Sequence, residues 1–233
     1  MKLKLNNNFL WGIFILLSGA LITLSYYHKF SMTLTETFGF ITGAWCVILV
    51  VKQNLWNFPI GILNNIFFII LFYKARLFAD MGLQFVYILL GLFGWWQWLF
   101  GGKAGRNTLQ VSRSSVGEAL ILAISGAFAT YFLTLYLQSI NGASPFLDAL
   151  TTVGSLIAQY LLIFKRIENW FVWISVDIVY IGLYISRDLY LTSFLYAVFI
   201  GLCVSGLIAW RKQHNVSSRV PSGSEKNFIE EKP

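Results

Sequence analysis

One carboxylate, Asp177, stands near the middle of an apolar segment that runs from Trp170 to Ile185. On a helix turning 100° per residue, Trp170, Trp173, Asp177, Tyr180 and Tyr184 fall within an arc of about 80°, so one face carries the amphipathic rings and the charge. The other faces carry Ile, Val and Gly. A charge at bilayer depth costs at least about 2.5 kcal/mol on insertion scales and is expected to face a cavity or a bundle interior. Its chemistry there is that of an acceptor or counter-charge for a bound solute on which the rings stack. The alternative is a packing role, in which Asp177 makes a hydrogen bond that fixes its helix and the rings fill core.

Further polar residues interrupt other apolar stretches. Asn64 and Asn65 sit mid-segment, Gln84 and Tyr87 share a helical face with Gly91, Trp95 and Trp98, and Gln159 and Tyr160 break an apolar run. Amides, phenols, indoles and one carboxylate together suit a neutral or cationic aromatic solute such as a pyridinium, because rings stack on it and amides read its polar edges. For each amide, an interhelical hydrogen bond is an equally open reading. Trp98 and Trp210 close their segments and are expected to anchor at the membrane interface.

The elements that must hold these residues are membrane spans. The 233 residues are 57% hydrophobic and only 12% charged, against about 25% charge in a soluble domain. Eight segments, near 9–27, 37–51, 57–73, 82–100, 117–137, 148–164, 170–185 and 190–210, are apolar enough to cross a core of ~30 Å with tilt. They lack the alternation of barrel strands, so helices are the expected state. The segment that begins at Phe9 continues through Tyr27, which favours a retained first span over a cleaved leader. Residues 211–233 turn polar and read as a disordered tail. Cys46 and Cys203 fall inside apolar spans as small hydrophobes, with neither a disulfide framework nor metal spacing.

With eight spans, the N-terminus, the even-numbered turns and the tail share one side, which carries 13 of the 17 Lys and Arg residues. The positive-inside rule makes both termini cytoplasmic. The net charge of +7 is thereby a matter of topology, and no nucleic-acid partner is expected.

Sliding the chain by 112 residues lays Ile62 on Ile174, Leu77 on Leu189, Leu83 on Leu195, Gly94 on Gly206, Trp98 on Trp210 and Asn65 on Asp177. Two three-helix repeats, in residues 37–100 and 148–210, follow from this, with a basic loop and linker helix at 101–147 between them and an extra helix and loop at 1–36 outside. Three helices plus one restore the starting direction, so the repeats run parallel. The spans at 57–73 and 170–185 are short, occupy matching places, and the former carries Pro59 and Gly61. Short or broken helices at corresponding positions point to a binding site between repeats.

Residues of both repeats match a known family. Asp148-Ala-Leu-Thr-Thr, Ala158-Gln-Tyr, Glu168-Asn-Trp-Phe-Val-Trp173, Asp177-Ile-Val-Tyr180-Ile-Gly-Leu-Tyr184, Leu189-Tyr-Leu-Thr192 and Leu195-Tyr196-Ala-Val-Phe199 closely resemble the C-terminal half of PnuC-type transporters. Trp56-Asn-Phe-Pro-Ile-Gly61, Leu77-Phe-Ala-Asp-Met81 and Gly94-Trp-Trp-Gln-Trp98 resemble the first half, and the likeness covers roughly residues 35 to 212. The resemblance implies an all-α, SWEET-like membrane fold, often with an extra N-terminal helix and assembled as a homotrimer in the inner (plasma) membrane. It adds Tyr196 to the site residues. It implies uptake of nicotinamide riboside, with thiamine, riboflavin or nucleosides carried by relatives, through facilitated diffusion and trapping by a separate cytosolic kinase.

Asp177 is the one ionisable residue placed deep in a span, so no chain of proton carriers is visible and no metal or cofactor is expected. A thiamine transporter, or a proton-coupled small-solute transporter using Asp177, remains the alternative. His28 and His214 fall outside the spans, and no nucleophile, base and acid group together as an enzyme would need. The topology predicts that cysteines placed at Ser115 and Ser224 label from the cytoplasm and one at Ser139 from outside. Labelling of all three from one side would refute eight spans.

Overall fold

The computed structural model describes residues 34–74, 78–102, 109–141, 144–186 and 190–217, together with Gly19 and Thr23. The expected first span at 9–27 therefore lies, apart from those two residues, outside the described residues, as does the chain beyond Ser217. The described residues form α1 (Leu34–Val51), α2 (Asn57–Lys74), α3 (Phe78–Phe100), α4 (Val116–Ser139), α5 (Pro145–Ile163), α6 (Asn169–Ile185) and α7 (Tyr190–Ser217). Each coincides with one expected span. The difference lies at the end of α7, which runs through residues 211–217, read from composition as the start of a disordered tail, as continuous helix.

Met81–Phe100, Val116–Ser139, Pro145–Ile163 and Ser193–Ser217 are long and apolar enough to cross a membrane, whereas the apolar parts of α1, α2 and α6 are shorter. Local chemistry sets several ends. Ser115 caps α4 by accepting from the Glu118 N–H, in a Ser-x-x-Glu box, and Pro145 opens α5 where its missing N–H costs nothing. α1 and α5 stop in the same way without a glycine. Gln53 and Lys165 take left-handed φ values of 52° and 48°. Behind each, a pair of bonds closes a Schellman turn: Asn54 N–H to Leu49 O at 2.8 Å with Gln53 N–H to Val50 O at 2.9 Å, and Arg166 N–H to Leu161 O at 2.8 Å with Lys165 N–H to Leu162 O at 2.9 Å.

α1 packs on α2 and α7, α5 packs on α6 and α3, and α2–α3 and α6–α7 are also neighbours. α4 packs on α5 alone among the described residues. At the end where the basic turns gather, four rings close the bundle. Phe58 meets Trp98 edge-on at 5.0 Å, Trp170 meets Trp210 edge-on at 5.3 Å, and the two indoles Trp98 and Trp210 lie 6.2 Å apart. Trp98 donates Nε1–H to Leu162 O at 3.2 Å, and Trp210 donates to Val50 O at 3.3 Å. Each member of one pair stands 112 residues from its counterpart in the other. Trp98 and Trp210 are therefore not interface anchors: they are 1% and 0% exposed, because their N–H groups reach carbonyls inside the bundle and have no need of water.

The loop after α3 is tied to the turn between α5 and α6. Ser112 N–H donates to Lys165 O and Ile167 N–H to Ser112 O, both at 3.0 Å, and Arg166 pairs with Glu118 at 3.1 Å. The Lys165 ammonium, only 6% exposed as a residue, donates to Gln53 Oε1 at 3.1 Å and Leu109 O at 3.0 Å and lies 4.3 Å from the centre of the Trp98 ring. Burial lowers its pKa from the ordinary 10.5 to about 8.

Two outcomes follow. Between about pH 8 and 10.5 the unfolded chain holds the Lys165 proton and the folded chain releases it, so this group makes stability rise with pH across that window; in a thermal melt series Lys165→Met should flatten the rise. A Cβ on Gly206 would stand 2.4 Å from the Trp170 ring, while one on Gly182 would meet nothing within 4 Å. Gly206→Ala should thus cost about 1–3 kcal/mol of overpacking, read as a lower melting temperature in detergent, and Gly182→Ala should leave it near the parent value.

Candidate functional site

Midway along α6 the Asp177 side chain is buried, with the residue 7% exposed. The Cys203 thiol on α7 lies 4.0 Å from Asp177 Oδ2 and donates to it. Tyr180 and Tyr196 also stand within electrostatic reach of the carboxylate. One turn outward the phenols gather: Tyr180 and Tyr184 stack with centroids 6.1 Å apart, Tyr184 and Tyr196 stack at 5.3 Å, and Tyr180 and Tyr196 lie 4.9 Å apart. Such offset ring pairs each contribute about 0.5–1.5 kcal/mol beyond burial. They also leave flat faces and hydroxyl edges beside one carboxylate.

The rest of the site is assembled from other helices. Tyr87 of α3 reaches towards Tyr180 and adjoins Ser155 of α5, and Tyr180 adjoins Thr151 of the same helix. Asn64 is held by α1, since Thr42 Oγ1 lies 2.9 Å from its Oδ1 and donates to it. Asn65, Gln84 and Gln159 are half-buried.

The expected face of α6 thus divides along its length. Asp177, Tyr180 and Tyr184 join Tyr87 and Tyr196, whereas Trp170, 1% exposed, belongs to the ring cluster that closes the basic end, and half-buried Trp173 packs against that cluster. An arc on a helical wheel says which residues share a side and nothing about the distance between its two ends, which one and a half ångströms of rise per residue make large here. Three neighbours escaped the sequence reading: Cys203, Thr151 and Ser155. Thr151 and Ser155 are four apart, hence on one helical face, and that spacing was the available signal.

A carboxylate and stacked phenols thus lie buried or half-buried between apolar helices. The family model described as nicotinamide mononucleotide transporter matches residues 33–212. The riboflavin/roseoflavin transporter RibM of Streptomyces davaonensis is 27% identical over 188 residues, covering 79% of this chain and 88% of that protein. The nicotinamide riboside transporter PnuC of Escherichia coli K12 is 21% identical over 206 residues, covering 78% and 86%, and its namesake in Neisseria mucosa is 27% identical over 186 residues, covering 74% and 70%. A crystal structure of the vitamin B3 transporter PnuC superposes with a TM-score of 0.66 at 22% identity, over 87% of this chain and 90% of that one. The protein is therefore an all-helical membrane transporter, not an enzyme. It belongs to the nicotinamide mononucleotide transporter family.

Proposed function

We propose that the chain carries nicotinamide riboside, or a closely related vitamin, across the inner membrane by facilitated diffusion, with cytosolic phosphorylation trapping the product. The observation that carries this reading is the carboxylate of Asp177, the one buried carboxylate among the described residues, beside the Tyr180, Tyr184 and Tyr196 rings. A pyridinium ring is attracted by both a carboxylate and ring faces. The apolar stretches that surround it, from Leu34 to Val51, Asn57 to Tyr73, Phe78 to Phe100, Val116 to Ser139 and Tyr190 to Ala209, hold no Lys or Arg. A phosphate beside Asp177 would have no cation to offset it, which favours the riboside over the mononucleotide. The likeness to a riboflavin transporter supports a second reading, a flat uncharged heterocycle, and calorimetry with nicotinamide riboside, thiamine and riboflavin separates these.

The proposed architecture is two parallel three-helix repeats, α1–α3 and α5–α7, joined by α4 in a SWEET-like plan with an additional N-terminal helix. The indole–carbonyl bonds, the two Schellman turns and the two ring pairs recurring at an offset of 112 support it. Rocking of the repeats about the central site would expose it to each side in turn. The basic end is read as cytoplasmic, together with both termini, from the 13 of 17 basic residues on that side. The exposed apolar surface of α4, including Ile121, Ile124 and Phe128 at 67–70%, suits contact with lipid and with the other copies of a homotrimer.

Asp177→Asn removes the charge while keeping the shape. Loss of a charge-assisted hydrogen bond predicts a penalty of roughly 1.5–3 kcal/mol, about one to two decades in the dissociation constant for nicotinamide riboside. Uptake into liposomes by the parent protein should follow the solute gradient and ignore an imposed pH gradient. Concentrative uptake driven by protons and lost only in Asp177→Asn would overturn the facilitator reading. Normal binding with lowered thermal stability in the mutant would make Asp177 a packing residue.

A further inference from the structure

The same two helix contacts occur twice in this bundle, 112 residues apart, and change polarity between the two occurrences. On α1, a Cβ on Gly39 would stand 2.6 Å from Phe68 Cζ, and one on Gly43 would stand 3.5 Å from Phe199 Cζ. Their counterparts on α5 are Thr151 and Ser155, which adjoin Tyr180 and Tyr87, the counterparts of Phe68 and Phe199. One wall is therefore ring against glycine, and the other is phenol against hydroxyl. Both reach the tyrosine group: Tyr180 belongs to it, and Phe199 meets Tyr196 edge-on at 5.8 Å.

The two walls offer different chemistry. Thr151 and Ser155 are 3% and 7% exposed, and a buried hydroxyl must find partners. Thr151 donates to Leu147 O at 2.9 Å and is also within hydrogen-bond reach of Tyr180. A phenol oxygen held beside such a hydroxyl keeps hydrogen-bonding capacity towards a bound solute, and a sugar diol supplies groups to pair with it. On the α1 side, Gly39 and Gly43 have no side chain, and Thr42 between them spends its proton on Asn64 Oδ1 and Phe38 O. That wall has ring faces and bare backbone, which suit the flat face of a heterocycle.

We propose that Thr151 and Ser155, acting through the hydroxyls of Tyr180 and Tyr87, make α5 the wall that reads the sugar hydroxyls of a nucleoside-like solute, while Gly39, Gly43, Phe68 and Phe199 form the wall against its base. The proposal rests on the solute site described around Asp177 and adds which end of the solute faces which half of the chain.

The test compares nicotinamide riboside with its 2′,3′-dideoxy analogue by calorimetry on the purified full-length protein. The parent should favour the riboside by about tenfold, the worth of one or two buried hydrogen bonds. In Tyr180→Phe and Tyr87→Phe that ratio should fall below about threefold, and Gly43→Ala should weaken both ligands while keeping the ratio. Thr151→Val, which preserves shape, gives the same reading should either tyrosine variant fail to fold. An unchanged ratio in the tyrosine and threonine variants, or a parent that does not distinguish the two ligands, overturns the assignment of the walls. Asp177→Asn tells the two failures apart: if it weakens both ligands while the ratio stays fixed in the other variants, only the wall assignment falls, and if it weakens neither, the site itself is misplaced.

Discussion

Inside a bilayer a backbone carbonyl that lacks a partner costs several kilocalories per mole, and every helix ends with carbonyls that its own ladder of bonds leaves unpaired. At the ends of α1 and α5 the Schellman bonds meet part of that constraint, and the crossed bonds from Trp98 to Leu162 O and from Trp210 to Val50 O add a second donor to a carbonyl of each turn. Each bond runs from a helix of one half to a helix end of the other, so the halves are held together by the same groups that terminate their helices. The close approach this needs is why Gly94 and Gly206 lie under the Phe58 and Trp170 rings. The left-handed residues Gln53 and Lys165 follow from it too. A turn with φ near 50° disfavours a side chain by about 1–3 kcal/mol, and it persists because the Schellman bonds and the contact between the two side chains determine it from both directions.

Beyond the rings that close the basic end, and apart from the Lys165–Gln53 and Arg166–Glu118 contacts there, polar residues gather again around Asp177. There the second half of the chain contributes Asp177, Tyr180, Tyr184 and Tyr196, and the first contributes Tyr87 and the amides. Helices α2 and α6 carry the paired positions Asn65 and Asp177 near their mid-points.

The helices were legible because apolar runs of span length have few alternatives, and the 112-residue offset from Gly94 to Gly206 and from Trp98 to Trp210 was legible because few other residues can replace glycine and tryptophan at close ring contacts. What the sequence concealed was direction. Trp98 and Trp210 close their spans just as interface residues do, and only the carbonyls facing them show that they point inward. Trp170 and Tyr184 share a helical arc yet serve different ends of α6. Thr151 and Ser155 look like any small hydroxyls bonded back to their own helix, as Thr151 is to Leu147 O, until Tyr180 and Tyr87 are placed beside them. The continuation of α7 past Trp210 was hidden for another reason: composition reports solvation, and a well-solvated helix such as 211–217 has the composition of a tail.

Gln53 and Lys165 meet at the point where the two halves face each other, and they are corresponding residues. In an assembly of two identical three-helix chains, a residue on the two-fold axis meets its own copy. Lysine would then face lysine in a buried setting, with two like charges and no acceptor, and glutamine would face glutamine with no cation for the Trp98 ring. Joining the halves in one polypeptide lifts that restriction, so an axial position can hold a donor on one side and an acceptor on the other. The buried ammonium of Lys165, with Gln53 and Leu109 O to receive its protons, is a contact that two identical copies about a two-fold axis could not make.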